Sequence, residues 1–380
     1  MTLFFLTFFS IYGGAHVYAF LKARTALGFG WASGVVLAAF MLVMTMAPVL
    51  IRVLERYEYE LAARTLSYAA YIWMAVLFLF FCSALVIDLL NLVPRLVGLM
   101  INMDLSPLQA RPKLSFFLSL GIALAVSAYG YFDALNIRTE RLVLETPKLP
   151  AGVDKLTIVQ ISDVHLGLIV RSERLDLVLD KVRAEKPDIL VSTGDLVDGQ
   201  INHMTGLAER LRALSPKYGK FSITGNHEYY AGLEQALAFT RKAGFTLLRG
   251  EATGKGVINI VGVDDPTGVQ MKIEKPVSEK ALLSRLPKGR FTLFLKHRPV
   301  IDQEALGLFD LQLSGHTHKG QIWPFTYLSG ISYPMSDGRF DLAKGSILYV
   351  SRGTGTWGPP IRFLSPPQIT VIELVRKTPR

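Results

Sequence analysis

Four long apolar runs constrain this chain more than any other feature. They cover residues 3–21, 29–51, 67–90 and 114–132, and none contains Lys or Arg. The hydrocarbon core of a bilayer takes about 20 apolar residues of helix. Each run therefore predicts one membrane span, and the four together predict an N-terminal α-helical membrane bundle. Cationic residues fall between the runs, at Lys22 and Arg24, across 52–64 and across 95–113. Trp31, Tyr68, Tyr129 and Tyr131 lie near run ends, where amphipathic rings favour the interface. A cleaved signal peptide does not fit the first run, which has no basic residues before it and no small-x-small site after it. Asp88 and Asp133 read as span-end residues close to water. With four spans, six cationic residues fall on one side and five on the other, which leaves sidedness open.

Beyond residue 150 the character changes to short apolar stretches broken by Gly, Pro and charge. The whole chain carries +10, of which +3 belongs to residues 1–150 and +7 to the remainder. That excess suits an anionic substrate or an anionic membrane surface. No block of Lys and Arg interleaved with aromatics is present, so nucleic acid is not an expected partner. The single cysteine, Cys82, lies in the third apolar run. Residues 151–380 can therefore hold neither a disulfide nor a thiolate metal site.

Residues 136–144 alternate as a strand does. Further strands are expected at 156–161, 188–192, 220–224, 257–263, 291–295, 311–313, 347–350 and 369–375. Helical periodicity appears at 172–185, 204–214, 233–243 and 278–286. Alternating strands and helices predict an α/β sheet domain. Polar residues then fall at strand ends: Asp163 and His165 in ISDVHLG, Asp195 and Asp198 in STGDLVDG, and Asn226, His227 and Glu228 in ITGNHEYY. His297 follows FTLFLK, and His316 and His318 lie in LQLSGHTHKGQ. Open α/β sheets bind ligands at the carboxyl ends of their strands. Five of the seven histidines sit in these turns, too many to explain by packing. Gly194, Gly225 and Gly315 precede the polar groups and permit tight turns and close backbone approach.

Carboxylate, amide and imidazole without sulfur suit Mn, Fe or Zn. Two such ions can clamp the attacking and leaving oxygens of an in-line displacement at phosphorus. Arg352 and Arg362 flank the Gly-rich SRGTGTWGPPIRF and are candidates to grip phosphate. Asp264 and Asp265 read as crevice or turn-capping residues, and His203 as a loop residue outside any motif. Tyr229, Tyr230, Trp323 and Phe325 follow two motifs and would form either an apolar lip for acyl chains or core packing.

The ordered set DVH, GDLVD, GNHE, a lone His and GHTH, from Asp163 to His318, resembles the calcineurin-like metallophosphoesterase superfamily. GHTHKGQ with the late Gly-rich stretch is similar to its bacterial membrane-associated phosphodiesterase branch, which includes a UDP-2,3-diacylglucosamine hydrolase. The resemblance implies an αββα sandwich at 155–376, after a transmembrane region at 1–133 and a linker with first strand at 134–154. It implies two divalent metals, one held by Asp163, His165 and His318, the other by Asn226, His297 and His316, with Asp195 bridging. His227 would be the catalytic acid, and Asp198 and Glu228 would orient ligands. Lys319 stands where the branch often has Gly and could touch substrate. The expected function is hydrolysis of a phosphodiester or pyrophosphate, in a lipid or lipid-linked nucleotide, at the bacterial cytoplasmic (inner) membrane by a multi-pass protein. The competing expectation is a non-catalytic metal-binding sensor coupled to the bundle.

Overall fold

The computed structural model describes residues 2–199, 204, 206–253 and 256–377, with side chains from Leu6 onward. The chain divides into two compact units, Met1–Phe132 with Gly358–Ile361, and Asp133–Trp357 with Arg362–Arg380. The N-terminal unit is built from α1 (Thr2–Leu27), α2 (Trp31–Arg56), α3 (Glu60–Ile101) and α4 (Pro112–Asp133). Among the described residues three segments are long and apolar enough to cross a membrane: Trp31–Arg56, Glu60–Ile101 and Ser106–Asp133. The run at 3–21 forms part of α1 and is not one of those three.

Helix α3 is much longer than its apolar run, with 42 residues. At 1.5 Å per residue it extends about 63 Å, roughly twice a hydrocarbon core. Asp88, expected at a span end, lies well inside α3. It pairs with Lys22 and accepts a hydrogen bond from Tyr18 Oη at 2.6 Å. Trp73 Nε1 donates to His16 Nε2 at 2.8 Å, and Thr45 Oγ1 lies 3.2 Å from His16 Nδ1. Phe80 and Phe116 stack edge to face at 5.5 Å. Asp88, His16, Thr45 and Trp73 thus find partners on another helix, as apolar surroundings favour.

The C-terminal unit holds two six-stranded sheets. The first runs β1 (Arg138–Thr146), β12 (Gln368–Arg376), β2 (Lys155–Ile161), β3 (Ile189–Ser192), β4 (Lys220–Ser222) and β5 (Thr246–Leu247). The second runs β10 (Gly338–Asp341), β11 (Ile347–Val350), β9 (Leu311–Ser314), β8 (Thr292–Leu295), β7 (Asn259–Gly262) and β6 (Glu251–Thr253). Strands β2 to β5 are parallel, as are β7, β8, β9 and β11. The connecting helices are α5 (Ser172–Ala184), α6 (Leu207–Arg212), α7 (Asn226–Ala231), α8 (Leu233–Lys242), α9 (Thr267–Gln270), α10 (Glu279–Ser284) and α11 (Phe325–Ser332).

Period-2 alternation sends neighbouring side chains to different layers. Ile158, Ile189 and Leu293 face into the core shared by both sheets. Val159 and Leu190 point the other way, against Leu175 and Val178 of α5 and Ala236 of α8. Phe294 points outward from the second sheet onto Leu283 of α10 and Phe309. Each fully buried aliphatic chain stabilises this arrangement by about 1.5–3 kcal/mol. A charge at Ile158 would have no partner between the sheets. The strands that face helices on one side and a sheet on the other read as unbroken apolar runs, as doubly covered parallel strands do.

Candidate metal centre

The parallel strands bring their carboxyl-end turns to one place. Asp163 and His165 follow β2, Asp195 and Asp198 follow β3, Asn226 and His227 open α7 after β4, His297 follows β8, and His316 and His318 follow β9. Donor atoms of Asp163, His165 and His318 lie within 4.8 Å of one another, as do those of Asp195, His297 and His316. His165 Nε2 is 3.1 Å from His318 Nε2, and His316 Nδ1 is 3.1 Å from His297 Nε2. Asp195 Oδ2 stands between the groups, 3.9 Å from His165 Nε2 and 3.3 Å from His297 Nε2. His165, Asp195 and His227 form a third close set.

Asp163, His165, Asp195, His316 and His318 all have φ between +47° and +71°. Non-glycine residues rarely adopt this left-handed backbone, and it persists only where surrounding structure over-determines it. The surrounding bonds are visible. His316 N donates to Asp163 Oδ1 at 3.0 Å, and His227 N donates to Asp195 Oδ1 at 2.8 Å. Glu228 accepts from the backbone N–H groups of Asp195 at 3.0 Å, Leu196 at 2.8 Å and Gly225 at 2.6 Å, stitching two turns together. Gly225 and Gly315 are needed for space, since a Cβ would overlap Asp195 Oδ1 at the first and Asp163 Oδ2 at the second.

His297 Nδ1 lies 2.7 Å from the Thr193 carbonyl. That contact makes Nδ1 the protonated nitrogen and turns the Nε2 lone pair towards Asp195. Asp198 Oδ1 lies 2.7 Å from His227 Nδ1 and 3.5 Å from His165 Nδ1. Burial alone would lower the His227 pKa, but the Asp195 and Asp198 carboxylates raise it to about 9. Burial would likewise lower His297, and Asp195 and Asp163 raise it to about 10. A cation placed among these atoms would displace that proton. Burial, followed by the Arg362 charge, pushes His318 well below its ordinary value and keeps it a neutral donor.

The donor set fits divalent cations. It offers buried carboxylate and neutral imidazole, and Asn226 Oδ1 is buried with no hydrogen-bond partner. Orphaned buried acceptors are uncommon in folded proteins, and a cation would satisfy this one.

Several other residues depart from expectation. Arg362 does not grip phosphate: it is 0% exposed. Its guanidinium donates to the carbonyls of Gly355, Arg352 and His318 and lies 2.9 Å from His318 Nδ1. Arg352 pairs with Glu140 at 2.5 Å and Asp337 at 3.4 Å. Lys319 takes the left-handed backbone at φ +49°, the conformation for which Gly is suited, and its Nζ meets Asp337 at 2.8 Å rather than open space. Asp264 and Asp265 do not reach the donors; they pair with Arg249 and Arg298, and Asp265 caps Thr267 N. Tyr229 is core, donating to Glu274 at 2.7 Å, whereas Tyr230, Trp323 and Phe325 are exposed. His203 lies outside the described residues. Sequence reasoning missed Trp357, whose exposed ring sits 5.8 Å from His227, and Tyr333, 5.1 Å from His316. The Gly-rich stretch flagged the first; nothing flagged the second.

The family described as calcineurin-like phosphoesterase matches residues 156–320. An "Uncharacterized metallophosphoesterase" of Aquifex aeolicus is 41% identical over 258 residues, covering 67% of this chain and 98% of that protein. A Helicobacter pylori protein of the same description is 34% identical, covering 70% of this chain and 73% of its own. A "Transmembrane protein with metallophosphoesterase domain" of Danio rerio is 32% identical, covering 68% of this chain and 62% of its own.

Proposed function

The chain belongs to the calcineurin-like phosphoesterase family, a family of dinuclear metal-dependent enzymes, and from that premise we propose a membrane-anchored hydrolase of a phosphodiester or pyrophosphate bond at the bilayer surface. The observation that carries the reading is Asp195 standing between two donor groups with Oδ2 facing both. Asp163, His165 and His318 would hold one divalent ion, and Asn226, His297 and His316 the other, with Asp195 shared. The donor chemistry suits Mn, Fe or Zn. When bound, such ions neutralise phosphoryl charge and acidify a water.

The chain's own residues do the remainder. Glu228 fixes the two turns that carry Asp195 and Asn226. Thr193 O orients His297, and burial, with the Arg362 charge second, keeps His318 neutral. Asp198 holds His227 by Nδ1, which leaves Nε2 to carry the proton for the departing oxygen. Asp198 is the more durable of the two partners, because the charge of Asp195 would be neutralised by any cations it held.

A lipid or lipid-linked nucleotide is the substrate class we favour, within the branch that includes a UDP-2,3-diacylglucosamine hydrolase. Support comes from the +7 charge of residues 151–380 and from the three span-capable segments. We take residues 1–133 as the anchor, 134–154 as connector with first strand, and 155–376 as the catalytic domain. We take α1 as a fourth span of a multi-pass inner-membrane protein, since its His16 and Lys22 are partnered on α3. The test is hydrolysis of bis-p-nitrophenyl phosphate by the full chain in detergent with Mn, Fe or Zn added after chelation. Activity that returns with metal and is absent in Asp195→Ala is expected. No turnover with any of the three ions would overturn the reading. A comparison of kcat/KM on lipid-linked and soluble nucleotide substrates tests the substrate class; a tenfold preference for soluble nucleotides, about 1.4 kcal/mol, removes the lipid part alone.

A further inference from the structure

Helix α11 is unlike the other helices of its unit. Helix α5 buries Leu175, Val178, Leu179 and Val182, and α8 buries Ala236, Leu237 and Phe239. Helix α11, FTYLSGIS, buries none of its residues and carries no charge. Ile331 is 77% exposed, Tyr327 68% and Leu328 56%, and Trp323 just before the helix is 42% exposed. Ile331 stands four residues after Tyr327 and three after Leu328, so it joins both side chains on one side of the helix. A contiguous apolar face of this kind on a folded domain marks an interaction surface.

The helix is nevertheless firmly fixed. Thr326 Oγ1 donates to the Lys319 carbonyl at 3.0 Å, and Thr317 Oγ1 donates to the Ser336 carbonyl at 2.7 Å. Lys319 pairs with Asp337 at 2.8 Å, and the Tyr333 ring meets His316. Both ends of α11 are thus bound to the loop that carries His316 and His318. Whatever surface receives α11 sets the position of the metal-ligand cluster relative to that surface.

We propose that α11, with Trp323, is an interfacial helix that seats in the headgroup region of the phospholipid bilayer and holds the mouth of the active site at that depth. The occupant follows from covalent continuity. The segment Ser106–Asp133 is apolar and long enough to cross a membrane, and β1 begins at Arg138. The few residues between reach no more than about 3.5 Å each, so the domain cannot leave the membrane surface. A Trp, a Tyr, Leu and Ile with small polar residues between them match the chemistry of that layer. The proposal rests on the lipid-substrate reading for its purpose but not for its test.

The test uses the full chain in phosphatidylcholine–phosphatidylglycerol vesicles. In a Cys82→Ser background, Leu328→Cys, Ile331→Cys and Asp180→Cys each receive an environment-sensitive fluorophore. Asp180 is an exposed position on α5. Labels at 328 and 331 are expected to be quenched at least twofold by doxyl-labelled lipid and protected from iodide, while the label at 180 shows the reverse. Iodide reaching 331 as readily as 180 overturns the proposal. So does a label shielded from both quenchers, which would mean a protein partner such as a second copy. A Leu328→Asp, Ile331→Asp double variant should keep its rate on bis-p-nitrophenyl phosphate within twofold. Its rate on a fluorescent phosphodiester lipid embedded in the vesicles should fall about tenfold. An equal loss on both substrates would also overturn the proposal. Failure of the wild-type chain to cleave the embedded lipid would sink the substrate reading, and the quenching result would still stand or fall by itself.

Discussion

Division of labour within the ligand cluster can be read from single side chains. His227 is close enough to His165 and Asp195 to be a ligand, yet its Nδ1 is taken by Asp198. Asp195→Ala is expected to lose metal and activity together. His227→Ala should retain near-normal metal content by elemental analysis while turnover falls about 10²- to 10⁴-fold. Equal metal loss in the two variants would make His227 a ligand and not an acid. Gly225→Ala is expected to fail differently: its Cβ collides with Asp195, so metal content should fall while every donor residue is still present. Arg362→Met should leave several buried carbonyls unpaired, at about 1–3 kcal/mol for each unsatisfied group. A clear drop in Tm of the chelated protein would show it. The polar identities of the cluster were legible in the sequence, because each motif places Asp, His or Asn directly after a β-strand. The left-handed backbone at five of them was not legible. Nothing in DVH or GHTH distinguishes φ +50° from φ −60°, and the cause lies in hydrogen bonds from distant turns. The role of Arg362 was hidden for a similar reason, since burial depends on the whole fold and its neighbours Gly355 and Ser365 are not charged.

At the level of elements, the long buried strands were visible and the short edges were not. Strands β2, β3, β8 and β11 announce themselves as apolar runs covered on both faces. Strands β5, β6 and β10 have two to four residues, lie at or near sheet edges, and carry too little pattern to register. Helix α7 was missed because GNHEYY shows no apolar periodicity; its start is fixed by Glu228 bonding Gly225 N. One element-scale device makes a prediction of its own. Lys220, on β4, is buried, and its Nζ donates at 2.7 Å to both Leu211 O and Ala243 O, at the carboxyl ends of α6 and α8. A cation there complements two helix dipoles. Lys220→Met should cost about 1–3 kcal/mol by leaving both carbonyls unmet, read by denaturant unfolding. Burial, and secondarily Arg212, lower the Lys220 pKa from 10.5 to about 8. The folded state therefore releases its proton before the unfolded state does. Stability should rise with pH between about 8 and 10.5 on this account, and the rise should be absent in Lys220→Met.

For the whole molecule, the two units make separable claims. The full chain should stay with the membrane fraction through high salt and carbonate. A chain beginning at Ala134 should be soluble and should still hydrolyse a small phosphodiester, because every candidate donor lies beyond that point. Beginning later is expected to fail, since Ile137 packs into the core beneath the first sheet and β1 is a full nine-residue strand. Release of the full chain by salt alone would remove the anchoring claim without touching the hydrolase.

The pairing of β1 with β12 has a consequence for synthesis. Arg138 stands in register with Gln368, its N–H donates to the Pro367 carbonyl at 2.8 Å, and β12 lies between β1 and β2. The strand that follows the last helix of the anchor therefore leaves the ribosome long before its neighbour exists. At about 5–20 residues per second the wait is on the order of ten seconds or more, during which Leu142 and Leu144 have no sheet to join. Helices α1 to α4 are complete throughout that interval. A released chain that ends just short of Gln368 should accordingly have a catalytic half open to protease, and a released chain that extends through Arg376 should be protected.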